Sequence, residues 1–382
     1  MTNNRKKITV KNGISFNGKT YSYVLRVPDP DTGKTKPRWV GGFSTEKQAK
    51  LERDKARIAL ATSTYVTVSV ITVGEYLDKW IELHANQLKP TTLSKYRSYL
   101  RLYLNPGLGS VKLQELKPSH VQTLYGQLLD RPLAPSSVHY AGAILKQALN
   151  YAVDVEGLLA TNPVNKVSTP KGPSNTPDLW TKDELNRFLK VASDHRLGFY
   201  FRLSAYTGAR RGELCALRWS DFDGSSLTIS KSRVKADNQV LELNSTKGGT
   251  NGRRSIKIDT DTMELLKAHR KRQLQERMAL GECWTDTGYV FVQENGLPID
   301  VHTPTHLFRK LSNQAGLEPI RLHDLRHLHA TILLSGGTQL HVVAHRLGHR
   351  DAMVTATIYA HVTNEQIETA SERFALAMNA NG

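Results

Sequence analysis

Leu347-Gly348-His349-Arg350-Asp351-Ala352-Met353-Val354-Thr355-Ala356-Thr357-Ile358-Tyr359-Ala360-His361 sets a tyrosine ten positions beyond a histidine, near the end of the chain. Two basic clusters lie upstream, Thr207-Gly208-Ala209-Arg210-Arg211-Gly212-Glu213-Leu214 and His323-Asp324-Leu325-Arg326-His327. A tyrosine alone in such a stretch reads as packing, and an arginine-rich turn alone as solvated surface. Their ordered combination, with Lys247 between the clusters, reads as chemistry.

A phenol has a pKa of about 10, so a tyrosine nucleophile at neutral pH needs its proton removed or its developing charge stabilised. A phosphodiester carries a negative charge and repels nucleophiles. Guanidinium groups answer this, because they are always charged, planar and bidentate, and can grip the non-bridging oxygens while charge builds on phosphorus. Arg210 and Arg326, from distant segments, are the candidates for such a clamp. A leaving 5′ oxygen needs a proton, and Lys247 stands in the Gly-rich turn Ser245-Thr246-Lys247-Gly248-Gly249-Thr250 between two strand-like runs. His323 and His349 can exchange a proton near neutrality or hydrogen-bond the phosphate.

This set resembles the tyrosine recombinase family, phage integrase type. The family's T-G-x-R-x-x-E-L turn is matched by Arg210 and Glu213, its hairpin lysine by Lys247, and its H-x-x-R box by His323 and Arg326. Its L-G-H is matched by Leu347-Gly348-His349 and its nucleophile by Tyr359. The resemblance implies catalytic roles for Arg210, Lys247, His323, Arg326, His349 and Tyr359, a 3′-phosphotyrosyl intermediate and strand exchange through a Holliday junction. Because the phosphotyrosine conserves the bond energy, neither ATP, metal nor another cofactor is expected. Three departures stand out: Leu328 where a small hydroxyl residue is more frequent, His345 and Arg346 just before the L-G-H, and Arg211 as a second candidate arginine.

Composition agrees with double-stranded DNA as partner. The formal charge is +17 and the pI about 9.7, an electrostatic footprint for phosphate backbones with strongly salt-dependent binding. Two cysteines exclude a disulfide framework and suit a reducing cytosol. The start, MTNNRKKITVKNG, has no apolar signal region, and no apolar run approaches the ~20 residues of a membrane span. The expectation is a cytoplasmic, nucleoid-associated protein of a bacterial host.

The expected fold is multidomain α+β. Residues 1–65 hold 14 Lys and Arg against 5 Asp and Glu, more than half of the net charge. Strand signals at residues 15–16, 21–27 and 38–40, followed by the capping box Thr45-Glu46-Lys47-Gln48, predict a three-stranded sheet with one helix. That pattern resembles an arm-type DNA-binding domain. Tyr21, Tyr23, Arg26, Lys36 and Arg38 are its candidates to reach DNA, with the sheet's two faces undecided. Residues 71–168 show helical periodicity, with Val73, Tyr76, Leu77, Trp80, Ile81 and Leu83 as one apolar stripe and helices at 91–104, 117–129 and 136–153. They resemble a core-binding helical domain, with Lys89, Thr91, Lys95, Tyr96 and Arg97 facing phosphates. Residues 161–177, with four prolines, read as a linker.

Residues 178–382 read as the catalytic domain: mostly helical, with a capping box at Thr181-Lys182-Asp183-Glu184, a buried helix at 197–206, and strands at 227–230, 240–243 and 254–258 around the Lys247 turn. Further helices are expected at 262–280, 304–315, 324–334 and 339–347. After Tyr359, Ile367, Ala370, Phe374, Ala377 and Met378 recur at helical spacing. Such a helix either caps its own domain or, as the resemblance implies, docks on a neighbouring protomer of a homotetramer assembled on core- and arm-type DNA sites, with DNA-bending accessory proteins as further partners. Other readings are a type IB topoisomerase, a DNA-binding regulator without activity, and a zinc site built from His323, His327, His329, His341, His345 and His349. No H-E-x-x-H occurs, and Arg326 would set a fixed cation beside such a metal.

Overall fold

The computed structural model describes residues 8–10, 13–28, 35–61, 70–170, 179–244 and 252–349. The chain divides into two compact units, Met1–Pro173 and Ser174–Gly382.

In the first unit, β1 (Ile8–Val10), β2 (Ile14–Phe16), β3 (Tyr21–Pro28) and β4 (Thr35–Phe43) form an antiparallel sheet in sequence order, so a short strand joins the three read from the sequence. α1 (Glu46–Ala61) starts where Thr45 Oγ1 accepts the Gln48 N–H, and it packs on β3. Alternation along a strand settles which face is which. Tyr23 and Leu25 are buried with Ile14 and Ala49 and packed by Tyr21, Val27 and Leu60, so Tyr21 and Tyr23 belong to the helix side. By register, Lys36 and Arg38 lie opposite Val27 and Leu25, while Trp39 lies opposite Val24. Arg26 and Trp39, the latter 53% exposed, therefore stand on the open face.

The bundle comprises α2 (Val73–His84), α3 (Pro90–Tyr99), a π-helical turn at Leu100–Leu104, α4 (Asn105–Leu108), α5 (Pro118–Leu129) and α6 (Pro135–Asp154). Thr72 and Glu75 cap α2 reciprocally. The predicted stripe is buried from Val73 to Ile81, and the Tyr76 hydroxyl donates to the Ala148 carbonyl. Leu83, at the stripe's edge in the last turn, is 52% exposed instead. The proline-rich stretch is not all linker: Val164 joins the bundle core, and Asn162 donates to the Lys146 carbonyl and to Asn150. Three of the phosphate-facing candidates have partners within the protein. Lys95 Nζ lies 3.8 Å from the Tyr140 ring centre, Tyr96 donates to Gln147, and Arg97 pairs with Glu82.

In the second unit, α7 (Lys182–Ser193) opens on the expected Thr181–Glu184 capping box. It packs on α8 (Gly198–Thr207), with Trp180, Phe188, Phe201 and Phe308 as an aromatic centre. α9 (Arg211–Cys215) follows, then β5 (Phe222–Asp223), β6 (Ser226–Ile229), β7 (Ser232–Ala236), β8 (Gln239–Leu243) and β9 (Arg254–Lys257). β5, β6 and β9 make one sheet, whereas β8 pairs with β7, so among the described residues the strands flanking Lys247 lie in different sheets. The turn Asp237-Asn238, both with positive φ, is the two-residue hairpin that joins β7 to β8. α10 (Thr260–Leu280), α11 (Thr303–Gln314), α12 (Asp324–Ser335) and α13 (Leu340–Leu347) complete the unit. α12 packs on α8, and α13 on α12 and β9. Leu328 is buried in the main core, where a larger apolar side chain is accommodated. Among the described residues, no helix is long and apolar enough to cross a membrane.

Buried His329 joins α8, α12 and α13 at one point. Its Nδ1 bonds the Ala205 carbonyl at 2.8 Å, and its Nε2 accepts from Arg346 Nε at 3.2 Å. These partners demand the neutral Nδ1–H tautomer. Burial first, then Arg346, push the imidazole down to about 4 against the raising effect of the Ala205 carbonyl. The unfolded chain takes up a proton near pH 6.5 and the folded one only near pH 4, so this contribution to stability is complete above about pH 6.5 and is lost as the pH falls, by at most about 1.4 kcal/mol per unit. His329→Gln, which cannot titrate, is expected to flatten the fall of melting temperature between about pH 6.5 and 4.5. A slope identical to that of the unchanged protein would contradict the locked tautomer.

Candidate active site

Two glycine-ended helices build the site. α8 stops at Gly208, with φ 62° and ψ 19°, and α13 stops at Gly348, with φ 68° and ψ 44°. Both are left-handed caps that favour glycine. Each glycine is also pressed by its neighbours: a Cβ on Gly208 would lie 2.6 Å from Leu347 Cδ2, and one on Gly348 would lie 2.8 Å from Arg254 Nη1. The carbonyls at these helix ends carry partial negative charge, which suits cations.

Arg326, in the first turn of α12 and only 3% exposed, spans both ends. It donates from Nη1 to the Gly208 carbonyl and from Nη2 to the Leu347 carbonyl, each at 2.7 Å. Arg210 directly precedes α9. Its backbone N–H and its Nη1 both bond Glu213, at 2.9 Å each, and its Nη2 reaches the Gly348 carbonyl at 3.4 Å. Arg254, at the start of β9, bonds both Glu213 oxygens, at 2.8 and 3.3 Å, and donates from Nε to the Arg346 carbonyl at 2.7 Å. Burial works to raise the Glu213 carboxyl, but Arg254 and then Arg210 outweigh it and hold the group below its usual range.

His323 directly precedes α12, behind a turn fixed by Asp324, which accepts the Arg321 backbone N–H at 2.8 Å and its Nη2 at 2.7 Å. Its ring meets His327 edge-on with centres 5.0 Å apart. Desolvation, then His327, Arg326 and Arg210, push His323 down to about 4. Desolvation, followed by Arg326, Arg210 and Arg254, likewise pushes the half-buried His349 down to about 4.

Four of the six candidates, Arg210, His323, Arg326 and His349, are thus drawn from three separate segments into one positive cluster. Lys247 and Tyr359 lie outside the described residues, as does the C-terminal amphipathic stretch. Arg211 turns instead to Thr305, donating at 2.9 Å. Arg346 engages His329 and the Tyr206 carbonyl, and His345 is exposed. Arg254 was not legible as part of the site: after Arg253, at the head of a strand, it reads as surface charge. Both nitrogens of His329 are engaged by Ala205 and Arg346, which removes it from any metal-ligand set.

Comparison with known proteins agrees with this geometry. Residues 179–366 match the phage integrase family, residues 72–129 the phage integrase N-terminal SAM-like domain, and residues 14–55 an arm DNA-binding domain. A tyrosine recombinase XerC-like protein of Caldanaerobacter subterraneus subsp. tengcongensis is 28% identical, over 97% of this chain and 99% of that protein. The ICEBs1 integrase of Bacillus subtilis is 25% identical, over 86% and 88%. Among solved structures, the Tn1549 transposon integrase in complex with transposon right end DNA matches with a TM-score of 0.67 at 20% identity, covering 80% of this chain and all of that one. A lambda integrase dimer bound to a COC′ core site matches with 0.58 at 20% identity, over 92% and 96%. At such identities the likeness is one of fold. With three matches in order along one sequence, and relatives whose length it spans almost completely, the chain belongs to the tyrosine recombinase family, phage integrase type, and is a site-specific DNA recombinase.

Proposed function

We propose that Arg210, Lys247, His323, Arg326, His349 and Tyr359 cleave and rejoin DNA through a 3′-phosphotyrosyl intermediate, integrating or excising a phage or other mobile element in a bacterial cytoplasm. The observation that carries this reading is Arg326 bonded to the Gly208 and Leu347 carbonyls, beside Arg210 on the Gly348 carbonyl, which sets two guanidiniums next to His349. A guanidinium held by backbone carbonyls needs little reorganisation when a phosphate arrives, and such preorganised charge is a large part of transition-state stabilisation. In the step proposed, the Tyr359 oxygen bonds to phosphorus as the bond to the 5′ oxygen breaks. Lys247 gives the leaving oxygen its proton. The histidines, neutral at pH 7, are able to hydrogen-bond the phosphate or accept the phenol proton, and an arriving anion raises their affinity for it.

The division of labour proposed is arm-type binding by residues 1–65, core-site binding by 71–168 and catalysis by 178–382, in a homotetramer on DNA aided by DNA-bending proteins. The reading is supported by the matches along the chain and by the lambda integrase tetramer bound to a Holliday junction, a protein 20% identical to this one.

Tyr359→Phe is expected to bind a nicked core-site substrate normally and to form no covalent protein–DNA adduct. Adducts that persist would move the nucleophile to another residue. On the arm side, Arg26→Ala and Trp39→Ala, on the open face of the sheet, are each expected to weaken arm-site binding roughly tenfold, as loss of about 1.4 kcal/mol implies, with core-site cleavage unchanged. Unchanged arm affinity in both variants would place the reading surface elsewhere.

A further inference from the structure

Among the cations of the site, Arg254 has no part in the catalytic set, yet it is buried as deeply as Arg326 is, at 4% exposed. Its side chain and that of Glu213 are each 1% exposed, whereas that of Arg210 is 21% exposed. Nε is taken by the Arg346 carbonyl, Nη1 by Gly252 and Glu213, and Nη2 by Glu213. Four of its five N–H groups are thus committed inside the protein, so its effect passes through what it holds.

We propose that Arg254 is a positioning residue that balances the Glu213 carboxylate, so that Arg210 keeps a full positive charge for the scissile phosphate, and that it ties this pair to the turn carrying His349. The proposal rests on the reading of Arg210 as a phosphate ligand. Glu213 is shared: Oε1 accepts from Arg210 Nη1 and Arg254 Nη1, and Oε2 from the Arg210 backbone and Arg254 Nη2. With Arg254 present, the trio carries a net charge of +1. Without it, a buried carboxylate faces Arg210 alone, cancels its charge and competes with the phosphate for its N–H groups. The same loss leaves burial less opposed, so the Glu213 carboxyl moves up from where Arg254 holds it. The Arg346 carbonyl lies two residues before Gly348, whose backbone approaches Arg254 Nη1 so closely that no side chain fits between them.

The test compares Arg254→Met, Glu213→Gln and the double variant for adduct formation at saturating nicked DNA. Arg254→Met is expected to lose roughly tenfold or more in rate with little change in DNA affinity, and to speed up as the pH is lowered from about 8 to 6, a profile absent from the unchanged protein. Once Glu213 is neutral, Arg254→Met is expected to cost no more than about threefold, so the double variant matches Glu213→Gln and outpaces Arg254→Met. That comparison on the Glu213→Gln background holds even if Arg254→Met alone does not fold. Equal losses from Arg254→Met on both backgrounds, or no loss beyond Glu213→Gln levels together with an unchanged pH profile, would leave Arg254 a scaffold residue only. Arg210→Ala separates the two layers: normal cleavage by Arg210→Ala overturns the phosphate-ligand reading itself, whereas its inactivity beside equal Arg254 losses overturns only the balancing role.

Discussion

Glu213 accepts hydrogen bonds from Arg210 and Arg254 inside a unit where water does not screen them. Buried ion pairs of this kind are poor evidence of stability, because desolvation offsets much of the attraction. Removing one partner is nonetheless expensive, at about 3–5 kcal/mol, since the other is left charged and unpaired. The carboxylate therefore acts as a hub. It fixes where Arg210 stands relative to α9 and, through Arg254 and the Arg346 carbonyl, where α13 ends.

The second constraint is the use of helix ends as ligands for cations. Arg326 is satisfied by the last carbonyls of two different helices, and α8 and α13 are each stopped by a glycine whose conformation and cramped surroundings exclude a side chain. Packing, capping and charge placement are thus one arrangement. Leu347 fills the space against Gly208, and its carbonyl holds Arg326. A shift of either helix moves both guanidiniums. Burial, and after it the positive field of these arginines, keeps His323 and His349 neutral at pH 7.

Much of this was legible in the sequence wherever residue type is dictated by chemistry or by a long apolar stripe. The T-G-x-R-x-x-E-L turn, the H-x-x-R box and the L-G-H appear in the structure as the pieces that meet, and α2, α6, α7 and α12 follow from periodicity and caps. Short or charged elements were not legible. β7, Ser-Arg-Val-Lys-Ala, carries no clear alternation, and its pairing with β8 across the positive-φ turn Asp237-Asn238 is seen only in the structure. The sheet's two faces needed α1 in place before Tyr21 and Tyr23 could be told from Arg26 and Trp39. Arg254 and His329 were opaque for one reason: a charged or titratable residue reads as surface until its buried partners, over 40 residues away for Glu213 and over 120 for Ala205, are known.

The central claim is that Arg210, held in place by Glu213 and Gly348, works by neutralising the charge of the scissile phosphate. A substrate whose scissile linkage is a methylphosphonate, which lacks that charge, tests it directly. The rates of adduct formation of the unchanged protein and of Arg210→Ala are to be measured on both linkages. The account predicts that the deficit of Arg210→Ala, about 3–4 kcal/mol on the phosphate by analogy with lost oxyanion donors, shrinks at least about tenfold in rate on the neutral linkage. An equal deficit on the two linkages would contradict it.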